Sequence, residues 1–166
     1  MKIVVGVTGS IAAYKAAELV SRLKDRGHDV YVILTDEAKR FIGELTLETL
    51  AQKRTQSPIP HVALAMQADR IIIAPATANT IGKISSGIAD NLLTETVMAA
   101  KCPVIIAPAM NTGMWDNPIV QSNIEKLQKL GYHFVDAETG ELACGLVGKG
   151  RLAKVDAILA ALDGIS

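Results

Sequence analysis

The stretch Val104–Trp115, VIIAPAMNTGMW, decides the fold. Four apolar residues run without interruption into Pro108, and Asn111 then stands among small residues and methionines. An apolar run with no polar alternation reads as a strand buried on both faces, and Pro ends it because it resists continuing strand or helix. In open α/β sheets ligands bind just outside the carboxyl ends of such strands. Asn111 is therefore expected in a crevice, where a carboxamide that both donates and accepts can orient a small polar substrate.

The remaining chain repeats this pattern. Residues 3–8 are an apolar run closed by Gly9-Ser10, and helical spacing follows until Gly27, a good helix stop. Strands are predicted at 30–34, at 70–74 up to Pro75, at 103–107 and at 132–135. Helical patterns fill 37–51, 61–68, 79–100 (broken by Gly82 and Gly87), 117–130 and 153–163. Residues 51–60 are polar with two prolines, and 136–151 are Gly-rich and polar. Strands alternating with helices require parallel pairing through right-handed crossovers. The expected fold is α/β, a three-layer, doubly wound, mostly parallel Rossmann-like sheet in a single domain over 1–166.

Composition narrows the function. The chain has 166 residues, 49% hydrophobic and 4% aromatic, with a formal net charge of zero. No Lys/Arg cluster exceeds a pair such as Lys39-Arg40 or Lys53-Arg54, so binding of nucleic acid or an anionic membrane by bulk charge has no support. The apolar runs fall far short of the roughly 20 residues of a membrane span. The first residues, MKIVVGVTGS, enter a strand at once and carry no signal-peptide cleavage pattern. Two cysteines, Cys102 and Cys144, suggest a reducing cytoplasm, and neither has metal-ligand spacing to another Cys or His.

Five further places carry candidate chemistry. Gly9, Ser10 and Ile11 sit at the first strand-to-helix turn, where free N–H groups and the helix dipole favour phosphate, although any such turn also likes Gly and an N-cap Ser. Thr35 closes the second strand and faces the same crevice if the strands are adjacent. Ala74–Thr80, APATANT, has the layout of 104–112: strand, Ala-Pro, small residues and Asn. Thr77, Asn79 and Thr80 are each common helix caps, but two strand ends built alike make a narrow polar slot. His61 is the best general base in the chain by its near-neutral pKa, although a lone His is more often a surface or capping residue. Cys144 lies in GELACGLVGKGR, a Gly-rich segment suited to a lid that brings a thiol over a substrate, whereas Cys102, ahead of a strand, has a structural reading.

Together GSIAAYK (9–15), His61 ahead of Ala68-Asp69, PATANT (75–80), PAMNTGMW (108–115) and ACGLVGKGR (143–151) resemble the flavin-dependent cysteine decarboxylases. The similarity is greatest to the coenzyme A branch, which acts on 4′-phosphopantothenoylcysteine. The resemblance implies noncovalent FMN contacted by Gly9, Ser10, Ile11, Thr35, Thr77, Ala78, Asn79, Thr80 and Ala109. It implies that Asn111, with Ala143 of the lid, binds the cysteine end of a small-molecule substrate. The cysteine side chain is oxidised to a thioaldehyde, with FMN as hydride acceptor and His61 as base. Loss of CO2 leaves an enethiol, which is reduced to 4′-phosphopantetheine as Cys144 supplies a proton. The resemblance also implies a homotrimer, or a dodecamer of trimers, with the flavin site shared between subunits, and a synthetase domain or partner in many relatives. Met110, Met114 and Trp115 suit an interface or flavin packing, and an ordinary core role equally. Between Leu50 and His61 the chain is about ten residues shorter than the family pattern, a difference a surface loop tolerates. Two other readings share these motifs: an oxidative decarboxylase of peptide carboxy-terminal cysteine, which stops at the enethiol, and a flavin-binding regulatory subunit.

Overall fold

The computed structural model describes residues 1–52, 59–141, 143, 145 and 147–165. Five parallel strands form one sheet: β1 Lys2–Val7, β2 Asp29–Leu34, β3 Arg70–Ala76, β4 Val104–Pro108 and β5 His133–Phe134. Their order is β2-β1-β3-β4-β5, so the chain reverses its direction of winding between β1 and β3. A reversal of this kind opens a crevice at the carboxyl ends of the two strands, because the crossovers that follow them go to opposite faces.

Period-2 alternation in the central strands distributes the core between those faces. Ile3, Val5 and Val7 of β1, Ile72 and Ala74 of β3, and Ile105 and Ala107 of β4 pack to one side. They meet helices α1 Lys15–Asp25, α2 Glu44–Ala51 and, near the end of the chain, Val155–Asp163. Val4, Ile71, Ile73, Val104 and Ile106 pack to the other side. There they meet α3 Pro60–Gln67, α4 Ala78–Ser85, α5 Leu92–Ala99 and a later helix at Pro118–Lys129. The three-layer α/β architecture expected from the sequence is thus the one observed. Gly6 is required by this packing, since a Cβ there would collide with Leu93 of α5.

Several boundaries differ from the sequence reading, each for a local reason. The 79–100 pattern is two helices, because Gly87 takes a positive φ of 71° and Asn91 starts a fresh helix with a capping box to Thr94. The 37–51 pattern is a short 3-10 turn at Ala38–Arg40 followed by α2. β3 does not stop at Pro75 but runs to Ala76, with a register shift against β4 between Ile73 and Ala76. A strand terminus tolerates Pro where the ladder is already irregular. The Gly-rich 136–151 segment is not simply loop. It contains an antiparallel hairpin of β6 Glu138–Glu141 and β7 Val147–Arg151, separate from the main sheet. Among the described residues no helix is long and apolar enough to cross a membrane.

Candidate active site

Every element that opens toward the crevice ends in a small or hydroxyl residue. Thr8 follows β1, Thr35 follows β2, Thr77 follows β3 and Ala109 follows β4. Thr8, which sequence reasoning passed over, ties the two central strand ends together. Its Oγ1 donates to Pro75 O at 2.7 Å and accepts from Thr77 N at 3.0 Å, with the side chain buried. One hydroxyl thereby satisfies both sides of the switch point, where β1 and β3 part.

The crevice is a cavity of about 580 Å³, within the usual range for cofactor sites. Gly9, Ser10, Thr35, Thr77, Ala78, Asn79, Thr80 and Ala109, all expected from the sequence to touch a flavin, line it. Ile11 does not. It points into a neighbouring chamber and is 60% exposed. Thr77 caps α4 by accepting from Thr80 N at 3.3 Å, and the two hydroxyls lie 3.2 Å apart. Capping and cavity lining are therefore the same act here: fixing Thr77 at the N-terminus of α4 presents the first turn of that helix to the cavity. Lys83 and Asp90 form an ion pair at the rim, 2.6 Å apart, and this hydrogen bond holds the Asp90 carboxyl below the ordinary carboxylate range. The sequence offers no signal for that pair beyond two charges seven residues apart.

The second chamber, of about 550 Å³, shares Ser10, Ala109, Met110 and Asn111 with the first. Asn111 thus stands in the wall between them. It is also the N-cap of the short helix α6, Thr112–Trp115, with Oδ1 accepting from Gly113 N at 2.7 Å. Ala143, exposed, lines the second chamber with Asn111. Cys144, the expected proton donor, lies outside the described residues, as does most of the short 51–60 segment.

The β6–β7 hairpin holds the Asn111 loop in place. Met110 N donates to Gly150 O at 2.9 Å, and a Cβ on Gly150 would collide with Met110 O. Gly150 has φ +135°, a region open to glycine and closed to most residues, so this close approach needs a glycine twice over. Lys149 Nζ lies 5.1 Å from the centre of the Trp115 ring. Lys149 and Gly150 therefore bind the end of the hairpin to the PAMNTGMW segment as one structural unit.

His61 is placed elsewhere. It sits in the first turn of α3, with Nδ1 3.4 Å from Glu95 Oε2 of α5, and lines neither chamber. The Glu95 carboxylate thus lies beside the imidazole on one side. On the same helix, Val62 and Met66 are 39% and 81% exposed, and Ile59 just before it is 53% exposed. A single chain thus brings together all but one of the described residues expected to act on substrate, and leaves His61 on an apolar outer face.

The donors of the first cavity fit a flavin. Hydroxyls and carboxamides of Ser10, Thr35, Thr80 and Asn79 line it together with the apolar Ala78, Ala109 and Met110, a mixture that suits a flat ring with a polyhydroxyl tail. The comparisons agree. A probable phosphopantothenoylcysteine decarboxylase of Streptococcus mutans is 44% identical over 173 residues, covering 98% of this chain and 97% of that protein. A PPC decarboxylase mutant complexed with pantothenoylaminoethenethiol superposes with a TM-score of 0.89 and 30% identity, covering 98% of this chain and 96% of that one. The FMN-dependent cysteine decarboxylase SpaF superposes with a TM-score of 0.80 at 30% identity, covering 98% and 97%. Bifunctional coenzyme A biosynthesis proteins also match, and the chain spans about 40% of their length. The Flavoprotein family model matches residues 1–165, and with cavity, fold and relatives in accord, this chain belongs to the Flavoprotein family.

Proposed function

We propose that this protein is an FMN-dependent decarboxylase of 4′-phosphopantothenoylcysteine, a carboxy-lyase of coenzyme A biosynthesis working in the cytoplasm, its residues 1–166 forming one domain. The observation that carries this reading is the position of Asn111 in the wall between the strand-end cavity and a second chamber that the hairpin lines. A substrate in the second chamber then presents its cysteine end to the slot through Asn111.

Gly9, Ser10, Thr35, Thr77, Ala78, Asn79, Thr80 and Ala109 hold FMN, with Ile11 at the edge of the turn. FMN held there would supply the reversible uptake of a hydride from the cysteine CH2–SH, chemistry that no side chain supplies. The Asn111 carboxamide, fixed by its cap to Gly113 N, grips the cysteine carboxylate and amide through its NH2 end. Ala143 closes the chamber beside it. His61 takes the thiol proton as the thioaldehyde forms, and its remoteness within one chain fits a base contributed by a neighbouring copy, its apolar surroundings on α3 being covered in a homotrimer or a dodecamer of trimers. Cys144 delivers a proton to the enethiol carbon. The bifunctional relatives, of whose length this chain spans about 40%, favour a synthetase domain or partner working beside the decarboxylase.

Incubation of the purified yellow protein with 4′-phosphopantothenoylcysteine yields a product lighter by CO2 alone; a product lighter by two further hydrogens assigns the chain to the oxidative peptide-type decarboxylases instead, and no turnover despite FMN binding assigns it to the regulatory class. In the same assay Cys144→Ser accumulates the enethiol, detected by mass. Fully reduced product at the wild-type rate would remove Cys144 from its role.

A further inference from the structure

Three successive residues of β7 each meet the segment that follows β4. Gly148 lies against Thr112, where a Cβ would collide with Oγ1, and Gly150 lies against Met110, whose N donates to Gly150 O at 2.9 Å. Between them Lys149 sets its ammonium 5.1 Å from the centre of the Trp115 ring. The two glycines allow the approach by lacking a side chain, and Lys149 is the one of the three that grips with one. An ammonium this close to an indole is attracted to the ring face, more strongly as water is excluded. Lys149 and Trp115 are both half-buried, and among the described residues Lys149 has no ion pair to draw it away. Trp115 is in turn tied to the substrate wall, since its N donates to Asn111 O at 2.9 Å and its O accepts from Gln121 Nε2.

β7 begins at Val147, three residues after Cys144 in the chain, and Ala143 lines the second chamber opposite Asn111. How closely this end of the hairpin approaches the Asn111 wall depends on how β7 is fastened to residues 110–115. Resting on the decarboxylase reading above, we propose that Lys149 is a positioning residue: by holding β7 to Trp115 it sets the share of turnovers that end at the saturated thiol rather than at the enethiol. The step it governs is the second half of the reaction. There the enethiol C=C gains a proton from Cys144 and the hydride removed earlier, and becomes CH2–CH2–SH. An enethiol that leaves first carries two hydrogens fewer and leaves that hydride on the flavin, which dioxygen in the assay reoxidises. Looser fastening of β7 delays the proton and favours departure.

FMN-loaded wild type, Lys149→Leu, Lys149→Arg, Trp115→Leu and the Lys149→Leu/Trp115→Leu double variant are given 4′-phosphopantothenoylcysteine, and the ratio of enethiol to saturated thiol is read by mass. Emission of Trp115, the single tryptophan of the chain, is recorded for wild type and the Lys149 variants. The expected result for Lys149→Leu is an enethiol ratio about threefold to tenfold higher, the size of a partly buried cation–π contact, with substrate consumed near the wild-type rate and Trp115 emission changed. Lys149→Arg keeps a cation by the ring and keeps the ratio. Trp115→Leu raises the ratio, and the double variant raises it no further, because the ammonium acts through the ring. A wild-type ratio in Lys149→Leu overturns the proposal. So does an equal rise in Lys149→Arg, which makes the shape of lysine the cause, or a further rise in the double variant, which makes Lys149 act elsewhere. Where Trp115→Leu does not fold, the Leu and Arg variants decide between these outcomes. Wild type inert on the substrate overturns the decarboxylase reading and the proposal with it, while the emission still reports the contact.

Discussion

Asn111→Asp loses about a hundredfold to a thousandfold in kcat/KM while melting at the wild-type temperature. The two halves of this result separate the structural and functional duties of one side chain. As an N-cap, Asp serves as well as Asn, and its oxygen still accepts from Gly113 N, so α6 and the loop before it keep their place. As a substrate ligand, Asp has no NH2 donors and sets a negative charge against the substrate carboxylate. Steady-state kinetics and thermal unfolding on the same preparation check both halves. Loss of activity together with loss of stability would show that Asn111 serves the helix alone, and retention of both would remove it from the substrate site.

His61→Asn loses about a hundredfold to ten-thousandfold in kcat, the range a positioned general base supplies, while retaining FMN. Asn preserves a polar group of similar reach next to Glu95 but cannot take up a proton at neutral pH. Since His61 lines neither cavity of its own chain, the variant's flavin site is intact. The same geometry predicts complementation: co-expressed His61→Asn and Asn111→Asp chains recover activity that neither has alone, because a mixed oligomer contains sites with an intact Asn111 from one copy and an intact His61 from another. Failure of mixed oligomers to recover activity would place the base within a single chain. A fully active His61→Asn protein would return His61 to the ordinary role of a half-buried surface histidine.

Much of the site is legible in the chain order because its residues sit where strands stop. Apolar runs such as Ile71–Ala74 and Val104–Ala107 must be buried on both faces, and the residues that follow them must come out at the sheet's edge. PATANT and PAMN therefore announce themselves as neighbours before any coordinates. The hairpin at 138–151 does not, because its strands carry glycine and charge without alternation; what holds it is the tertiary grip of Gly150 on Met110 and of Lys149 on Trp115. Thr8 is similarly silent, a single hydroxyl whose importance lies in two hydrogen bonds to a segment 67 and 69 residues away.

The amino-acid sequence by itself determined the layered α/β class, the strand ends that open on the crevice and the identity of the polar groups there, because hydrophobic periodicity and the stop signals of Pro and Gly act locally. Tertiary structure alone decided the rest. Strand order puts the winding reversal at β1 and β3, which makes one cavity of four separate strand ends. Helix packing sends His61 to an outer face beside Glu95. The fold also brings Lys15 to the backbone carbonyl of Leu152, from the first helix to the residue after the last strand, a contact no local pattern records because nothing in either segment refers to the other.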